Sequence, residues 1–114
     1  MTSIVLKPWG SYQILEIDKK YTLKKIIVKP KGKLSLQSHQ YRSEHWVVVK
    51  GKAEVTLNDN IFTMNENENI FIPKNSKHRL GNNSNEDLII IEVWYGDKLE
   101  EEDIIRYEDI YNRK

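Results

Sequence analysis

Four side chains have the types and spacing of a metal site: Gln37, His39, Glu44 and His78. Gln37 and His39 are two positions apart, so on a strand they point to the same face, about 7 Å apart along it. Glu44 follows across a short loop, and His78 comes after a turn-rich segment. Imidazole nitrogens with carboxylate and amide oxygens suit Zn²⁺, Mn²⁺, Fe²⁺, Co²⁺ or Ni²⁺. Spacing alone leaves open the ordinary alternative, in which these histidines lie on half-buried strands and bind no ligand.

The elements that must position these side chains are short strands. β-Branched and other apolar residues occur in runs of strand length, separated by turn residues at roughly 8–12-residue spacing. One turn signal is Asn58-Asp59-Asn60, because asparagine tolerates the left-handed conformation that a tight hairpin requires. The runs predicted as strands are Gly10–Ile17, Tyr21–Val28, 34–39, 44–49, Ala53–Leu57, 61–64, 70–72 and 88–94.

This pattern predicts an all-β fold, a sandwich or a small barrel, because closure removes exposed strand edges. Only the segment 99–111 differs. It begins with acidic residues that suit a helix N-terminus and then places Ile104, Tyr107 and Tyr111 at spacings of three and four. We expect a short helix or turn here, packed on the barrel.

Length and charge exclude several classes of protein. A chain of 114 residues predicts a single domain over 1–114, long enough to bury a core. The formal net charge of +1 argues against nucleic-acid binding, which normally needs a strong basic excess. No window has the roughly 18 apolar residues of a membrane span, and the N-terminus lacks the apolar core of a signal peptide. We expect a soluble, cytoplasmic protein without a membrane partner.

Several motifs resemble a known family. The pattern Gln-x-His-x4-Glu-x6-Gly over residues 37–51 resembles the first cupin motif, with glutamine in place of its first histidine. Pro73 through His78 to Asn82 resembles the second. Further matches, to type II mannose-6-phosphate isomerase, are KPWGSY at 7–12, LSLQSHQYRSEHW at 34–46, IP at 72–73 with HRL at 78–80, and EEDIIRYEDIYNR at 101–113.

The resemblance implies a cupin jelly-roll barrel, or double-stranded β-helix, with one divalent metal inside. Carried over by position, the metal ligands would be Gln37, His39, Glu44 and His78. Zinc is the first expectation, with Mn, Co, Ni or Fe as alternatives. Arg42, in the loop between two of these ligands, would be catalytic.

The activity implied is interconversion of mannose 6-phosphate and fructose 6-phosphate through an enediolate, which feeds GDP-mannose synthesis. A divalent cation would polarise the carbonyl group and stabilise the negative charge that develops. In this family the module usually follows a mannose-1-phosphate guanylyltransferase domain, which this chain does not contain. A separate guanylyltransferase is therefore an expected partner.

Two departures from the family favour an alternative function. Gln40-Tyr41 stands where the family has a histidine-rich stretch, and Asn112 replaces a usual glycine. Together with the absent partner domain, they suit a non-catalytic cupin that binds a sugar or sugar nucleotide. A third alternative, an iron oxygenase, is disfavoured because Gln37 would close a coordination position that oxygen and substrate must share.

Other roles are less defined by the sequence. The general base could be His45, Glu44 or a metal-bound hydroxide. The cations considered for the substrate phosphate are Lys74, Lys77, Arg79 and Arg106.

The run 44–49 predicts self-association. It is apolar on both faces, with Val47 and Val49 on the side away from Glu44, and such a strand is buried on both sides. Trp9, Trp94 and Tyr95 also look exposed. These features favour a homodimer; in a monomer, Trp9 would instead cover Val47 and Val49.

Overall fold

Two antiparallel sheets face each other in the computed structural model, which describes residues 3–113. The six-stranded sheet has the order β1-β2-β3-β10-β5-β8, and the five-stranded sheet has the order β11-β4-β9-β6-β7. The strands are β1 Ile4–Lys7, β2 Gly10–Ile17, β3 Tyr21–Val28, β4 Leu36–Ser38, β5 Arg42–Lys50, β6 Ala53–Leu57, β7 Asn60–Met64, β8 Asn69–Ile72, β9 His78–Gly81, β10 Leu88–Gly96 and β11 Ile105–Glu108.

The core lies between the sheets, because alternate residues of each strand point inward. On β3 and β10 the inward positions are almost fully buried, while their neighbours are half-buried or exposed. Asn58, in the turn between β6 and β7, has φ of 52°, as its left-handed tolerance predicts. The buried apolar residues are Trp9, Ile26, Val28, Trp46, Val48, Ala53, Val55, Met64, Ile72, Leu80, Leu88 and Ile90.

The predicted all-β class is confirmed, and residues 3–113 contain no helix. It follows that no helix in this part of the chain is long and apolar enough to cross a membrane. The segment 99–111 forms a turn at Glu101-Glu102, the strand β11 and a second turn at Ile110-Tyr111. The expected turn is therefore found near both ends of this segment, and the expected helix is wrong. The free edge of β4 offers backbone partners to β11, and pairing there replaces helical hydrogen bonds.

Asp109 holds the turn that follows β11. Its carboxylate accepts hydrogen bonds from the backbone N–H groups of Tyr111 and Arg113 and from the Arg113 guanidinium, at 2.7–3.3 Å. Burial alone would raise the pKa of Asp109, but these hydrogen bonds hold it below the ordinary value of 3.8. A lowered pKa in the folded state stabilises the fold above the unfolded value, and the contribution is lost as the pH falls through the folded value.

We expect Asp109→Asn to reduce the free energy of unfolding by about 1–2 kcal/mol at pH 7, because charge-assisted hydrogen bonds are weakened. The difference from the unmodified protein should shrink as the pH falls below 3.8. Urea denaturation at pH 7 and pH 3 measures both, with Asp59→Asn in the exposed β6–β7 turn as the control. Equal loss of stability at both pH values would contradict an ionic origin.

Two tryptophans expected at the surface are buried. Trp9 and Trp94 are 5% and 4% exposed, because Trp9 folds from the β1–β2 turn into the core and Trp94 occupies an inward position of β10. Tyr95 is 53% exposed, as expected. Val47 and Val49 are also exposed, so Trp9 does not cover them within one chain. The homodimer stays a prediction.

Candidate functional site

Strands from both sheets bring the predicted ligands together. Glu44 lies on β5 and points inward, in line with Trp46 and Val48. Opposite it, His78 begins β9 and pairs in register with Gln37 on β4. His39 follows directly after β4. The side chains of His39, Glu44 and His78 are all at most 3% exposed.

These three side chains form a compact cluster, with one donor atom from each lying within 4.8 Å of the others. Nε2 of His39 lies 3.1 Å from Oε2 of Glu44 and 3.1 Å from Nε2 of His78. Nε2 of His78 lies 3.9 Å from Oε1 of Glu44. Two imidazoles and a carboxylate are thus directed at one point.

Backbone carbonyl groups orient both imidazole rings. Nδ1 of His39 lies 2.7 Å from the carbonyl oxygen of Asp103, and Nδ1 of His78 lies 3.0 Å from that of Ser76. A carbonyl oxygen only accepts, so each Nδ1 carries a hydrogen and each Nε2 faces the cluster. Two lone pairs 3.1 Å apart repel, so the pair requires a positive charge between them, either a proton or a metal cation. The donor set therefore fits a divalent metal.

Glu44 supplies the negative charge of the cluster. Its Oε2 accepts a hydrogen bond of 2.8 Å from Nε of Arg42, and its Oε1 accepts one of 2.9 Å from the Trp46 indole. Burial alone would raise the pKa of Glu44, but the His39 and His78 imidazoles and the Arg42 guanidinium beside it hold that pKa well below 4.5. By contrast, the pKa of His78 is lowered, chiefly by burial. An ionised carboxylate beside a neutral imidazole is the protonation state that a metal site needs.

Gln37 lies on β4, in register with His78. Its amide Nε2 donates to the hydroxyl and the carbonyl oxygen of Ser35, at 3.0 and 3.3 Å. This leaves the amide oxygen as the atom available to a cation. The side chain lines the same cavity as Glu44 and His78.

Arg42 lies against the cluster and is held by four neighbouring residues. Besides Glu44, it donates to the carbonyl oxygen of Glu100 at 3.1 Å, and its Nη2 lies 3.3 Å from Nε2 of His39. Its guanidinium carbon stacks 3.4 Å from the centre of the Trp94 ring. These contacts fix the guanidinium in a buried position before any ligand arrives.

The cluster opens into a cavity of about 170 Å³ between the two sheets. Tryptophans and aliphatic side chains form much of its wall, and charged groups are placed among them. This combination is typical of a small-molecule site. The charged residues that line it are Lys7, Lys24, Arg42, Glu44, Glu92, Glu101, Arg106 and Arg113.

Sequence reasoning missed Glu92, a buried carboxyl group on the cavity wall. It lies on β10 between the buried residues Ile90 and Trp94, and its Oε1 accepts a 2.7 Å hydrogen bond from the Trp94 indole. Burial raises the pKa of Glu92 well above 4.5, and the nearby charge of Glu44 and a hydrogen bond with that residue raise it further. The signal that could have found it is a charged residue at an inward position of an otherwise apolar strand face.

Other expected residues lie outside the cavity. His45 points to the outer face of β5 and stacks on Phe71, with ring centres 4.8 Å apart, so it is not placed to act as a general base. On the five-stranded sheet, Arg79 donates to the carbonyl oxygen of Leu34 and pairs with Glu108.

Of the four cations expected to bind the phosphate, three lie outside the cavity and one lines it. Lys77 lies over the ring of Tyr107, and Lys74 lines a surface groove with His45. His78 and Leu80 point inward on β9, so Arg79 between them points outward. Of the four cations proposed for the phosphate, Arg106 is the one that lines the cavity.

Residues 1–109 match the family model described as Mannose-6-phosphate isomerase C-terminal. The alginate biosynthesis protein AlgA of Pseudomonas putida is 49% identical over 109 residues, which cover 96% of this chain and 22% of that protein. The mannose-1-phosphate guanylyltransferase ManC of Salmonella typhimurium is 46% identical over 96% of this chain and 23% of that protein. The chain thus spans less than a quarter of the length of these curated relatives.

Solved structures share the fold at low sequence identity. Oxalate decarboxylase from Bacillus subtilis, a protein described with Mn(II) centres, superposes with a TM-score of 0.82 at 18% identity, over 92% of this chain and 30% of that chain. The capsular polysaccharide assembling protein CapF from Staphylococcus aureus gives 0.77 at 18% identity, over 96% and 35%. A protein with a double-stranded β-helix domain from Klebsiella pneumoniae gives 0.75 at 13% identity, over 85% and 83%. The expected double-stranded β-helix is confirmed.

Proposed function

Because the chain belongs to the mannose-6-phosphate isomerase C-terminal family, we propose that it is a metal-dependent aldose–ketose isomerase acting on mannose 6-phosphate and fructose 6-phosphate. Relatives named for alginate and xanthan biosynthesis connect the family with polysaccharide synthesis. The observation that carries the proposal is the buried cluster of two imidazoles and a carboxylate beside the Arg42 guanidinium, at a cavity that Arg42, Glu44 and His78 line.

Gln37, His39, Glu44 and His78 would hold one divalent cation, with zinc as the first choice and Mn, Co, Ni or Fe as alternatives. The oriented Nε2 atoms and the ionised carboxylate support this set. When bound, such a cation polarises the substrate carbonyl and stabilises negative charge on its oxygen.

Arg42 would stabilise the enediolate. Isomerisation moves one proton from C2 of the aldose to C1 and another from the C2 hydroxyl group to the C1 oxygen, and negative charge develops on these two oxygens in the enediolate. The Arg42 guanidinium lies within hydrogen-bond distance of Glu44 and His39, so its charge is already directed at the place where those oxygens would lie. A donor held in advance stabilises the developing charge without reorganising during the reaction.

Glu92 is our candidate for proton transfer. Its raised pKa keeps a proton on the carboxyl group at pH values where an exposed glutamate has lost it, and the group lines the cavity beside Glu44. A carboxyl group in this state can give a proton to a substrate oxygen or take one back. Glu44 stays ionised and is committed to the cluster, so the two carboxyl groups would have separate tasks.

A coupled assay tests the function. Purified protein loaded with a divalent metal is expected to convert mannose 6-phosphate into fructose 6-phosphate, to stop after treatment with a chelator and to resume when metal is restored. Glucose 6-phosphate isomerisation serves as the specificity control. Binding of the sugar phosphate without turnover, whichever divalent metal is supplied, would contradict the proposed isomerase activity.

That outcome would favour the alternative, a sugar- or sugar-nucleotide-binding cupin that works with a separate guanylyltransferase. Relatives that contain this region as 22–23% of their length support the partnership, and one of them is named as a guanylyltransferase. In either case the chain would serve GDP-mannose synthesis.

A further inference from the structure

We propose that Lys24 and Arg106 form a phosphomonoester-binding subsite on the part of the cavity wall that β3 and β11 form. The subsite would hold the phosphoryl end of a sugar phosphate while the carbonyl end lies at the cluster. This inference rests on the proposed function and names the residues that select a phosphorylated substrate.

Lys24 is a buried lysine placed for ligand binding. It is 3% exposed and lines the cavity from an inward position of β3. Its ammonium group lies 3.7 Å from the centre of the Trp94 ring and 4.1 Å from that of Tyr12, so two aromatic faces hold it in place. Glu101 accepts one hydrogen bond from it, at 2.7 Å. An ammonium group has three donors, so Lys24 can bind Glu101 and a phosphate oxygen together.

Arg106 approaches the same cavity from the opposite sheet. It pairs in register with Gln37, and Gln37 pairs with His78, so the three side chains form a row across β11, β4 and β9. All three line the cavity. A guanidinium at the end of this row can present two parallel N–H groups to a phosphate.

The spacing suits a hexose phosphate. In the six-stranded sheet, β10 lies between β3, which carries Lys24, and β5, which carries Glu44. In the other sheet, β4 lies between β11 and β9, which carry Arg106 and His78. Neighbouring strands are about 4.8 Å apart, so the backbones of Lys24 and Glu44, and those of Arg106 and His78, lie roughly 10 Å apart across their sheets. A ligand with one reactive end and one anionic end could therefore span the cavity.

The charge balance of the cavity favours an anion. Five cations line it, against three carboxylates, although the whole chain has a net charge of only +1. One of those carboxylates, Glu44, belongs to the cluster. Lys7 extends the positive wall beyond Lys24 and Arg106, whereas Arg113 is paired with Asp109. A dianionic phosphomonoester matches this excess better than a neutral sugar does.

Binding without turnover tests the subsite independently of the isomerase. Mannitol 6-phosphate has no carbonyl group to isomerise, and mannitol is the same ligand without phosphate. We expect calorimetry on the metal-loaded protein to show a clear preference for mannitol 6-phosphate. Lys24→Met should weaken binding of mannitol 6-phosphate on the order of 10–100-fold, because a charge-assisted hydrogen bond is lost, and should change mannitol binding little.

Lys25→Met is the matched control, since Lys25 is next to Lys24 but points to the other face of β3 and does not line the cavity. It should keep the affinity of the unmodified protein. Arg106→Gln provides a second test on the opposite sheet, and circular dichroism checks that each variant folds. Should Lys24→Met fail to fold, Arg106→Gln decides the outcome alone.

The possible results separate the two claims. Equal weakening of both ligands would assign Lys24 a purely structural role and overturn the subsite. A protein with no preference for mannitol 6-phosphate would overturn it as well. An active isomerase with unaltered affinity in both variants would leave the function standing and the subsite wrong. A protein without turnover that binds the phosphate through Lys24 would leave the subsite standing and the function wrong.

Discussion

Simultaneous replacement of His39 and His78 by alanine is expected to abolish stoichiometric metal binding, while the β-type circular dichroism persists. Removing two of the proposed ligands leaves Glu44 and Gln37, which cannot hold a transition metal with comparable affinity. Elemental analysis after dialysis should find about one divalent ion per chain in the unmodified protein and a small fraction of that in the double variant. Isomerase activity should disappear with the metal.

His45→Ala is the matched control, because this histidine lies one residue from Glu44 but points to the outer face of β5. It should keep full metal content and turnover. Metal at the unmodified level in the double variant would refute the ligand assignment. Affinity should also fall below about pH 6, because protonated imidazoles do not bind metals.

Replacement of Arg42 by alanine is expected to lower kcat on the order of 10²–10³-fold, about 3–4 kcal/mol in the activation free energy. The reason is that the guanidinium would act on charge that exists only along the reaction path. KM should stay within a few-fold of its original value. Steady-state kinetics on mannose 6-phosphate measures both constants.

The metal-free Arg42→Ala protein should also be less stable, because Glu44 loses its buried partner, and bound metal should restore much of the loss. Arg79→Ala is a suitable control, since Arg79 is 8% exposed and ion-paired but lies outside the cavity. It should affect stability without a comparable loss of kcat. A steep rise in KM at unchanged kcat would instead make Arg42 a phosphate-binding residue.

Alternation and turn chemistry predicted most of the strands. Gly10–Ile17, Tyr21–Val28 and Ala53–Leu57 form with the predicted bounds. Three strands, β1, β9 and β11, are not among the predicted runs. The residues of β1 are all exposed, and the strand shows no alternation of apolar and polar side chains. The strand β11 forms because it pairs with the edge of β4. Pairing of distant segments is a tertiary effect that local pattern does not reveal.

The site was predictable where its residues form a local motif. Spacing and family resemblance identified His39, Glu44 and His78, which do lie together. Lys24 and Glu92 were missed because no motif marks either residue, and only the packing of two sheets shows that both face one cavity. Lys74, Lys77 and Arg79 were chosen by sequence proximity to His78, but the two lysines lie in the segment between β8 and β9 and do not line the cavity. Arg79 points to the other face of β9, because neighbouring side chains on a strand point to opposite faces.

The segment between β10 and β11 affects the order in which the core and the functional site form while the chain is being synthesised. Its backbone carbonyls hold His39 and Arg42, and Glu101 holds Lys24, across separations of 64, 58 and 77 positions. A ribosome adds residues at about 5–20 per second, so strands β2 to β10 can pair before these contacts exist. Nascent chains that have only reached Gly96 would lack the contacts by which Asp103, Glu100 and Glu101 hold His39, Arg42 and Lys24. Assembly of the barrel and maturation of the site are therefore separate events, and the second waits for the last part of the domain to be made.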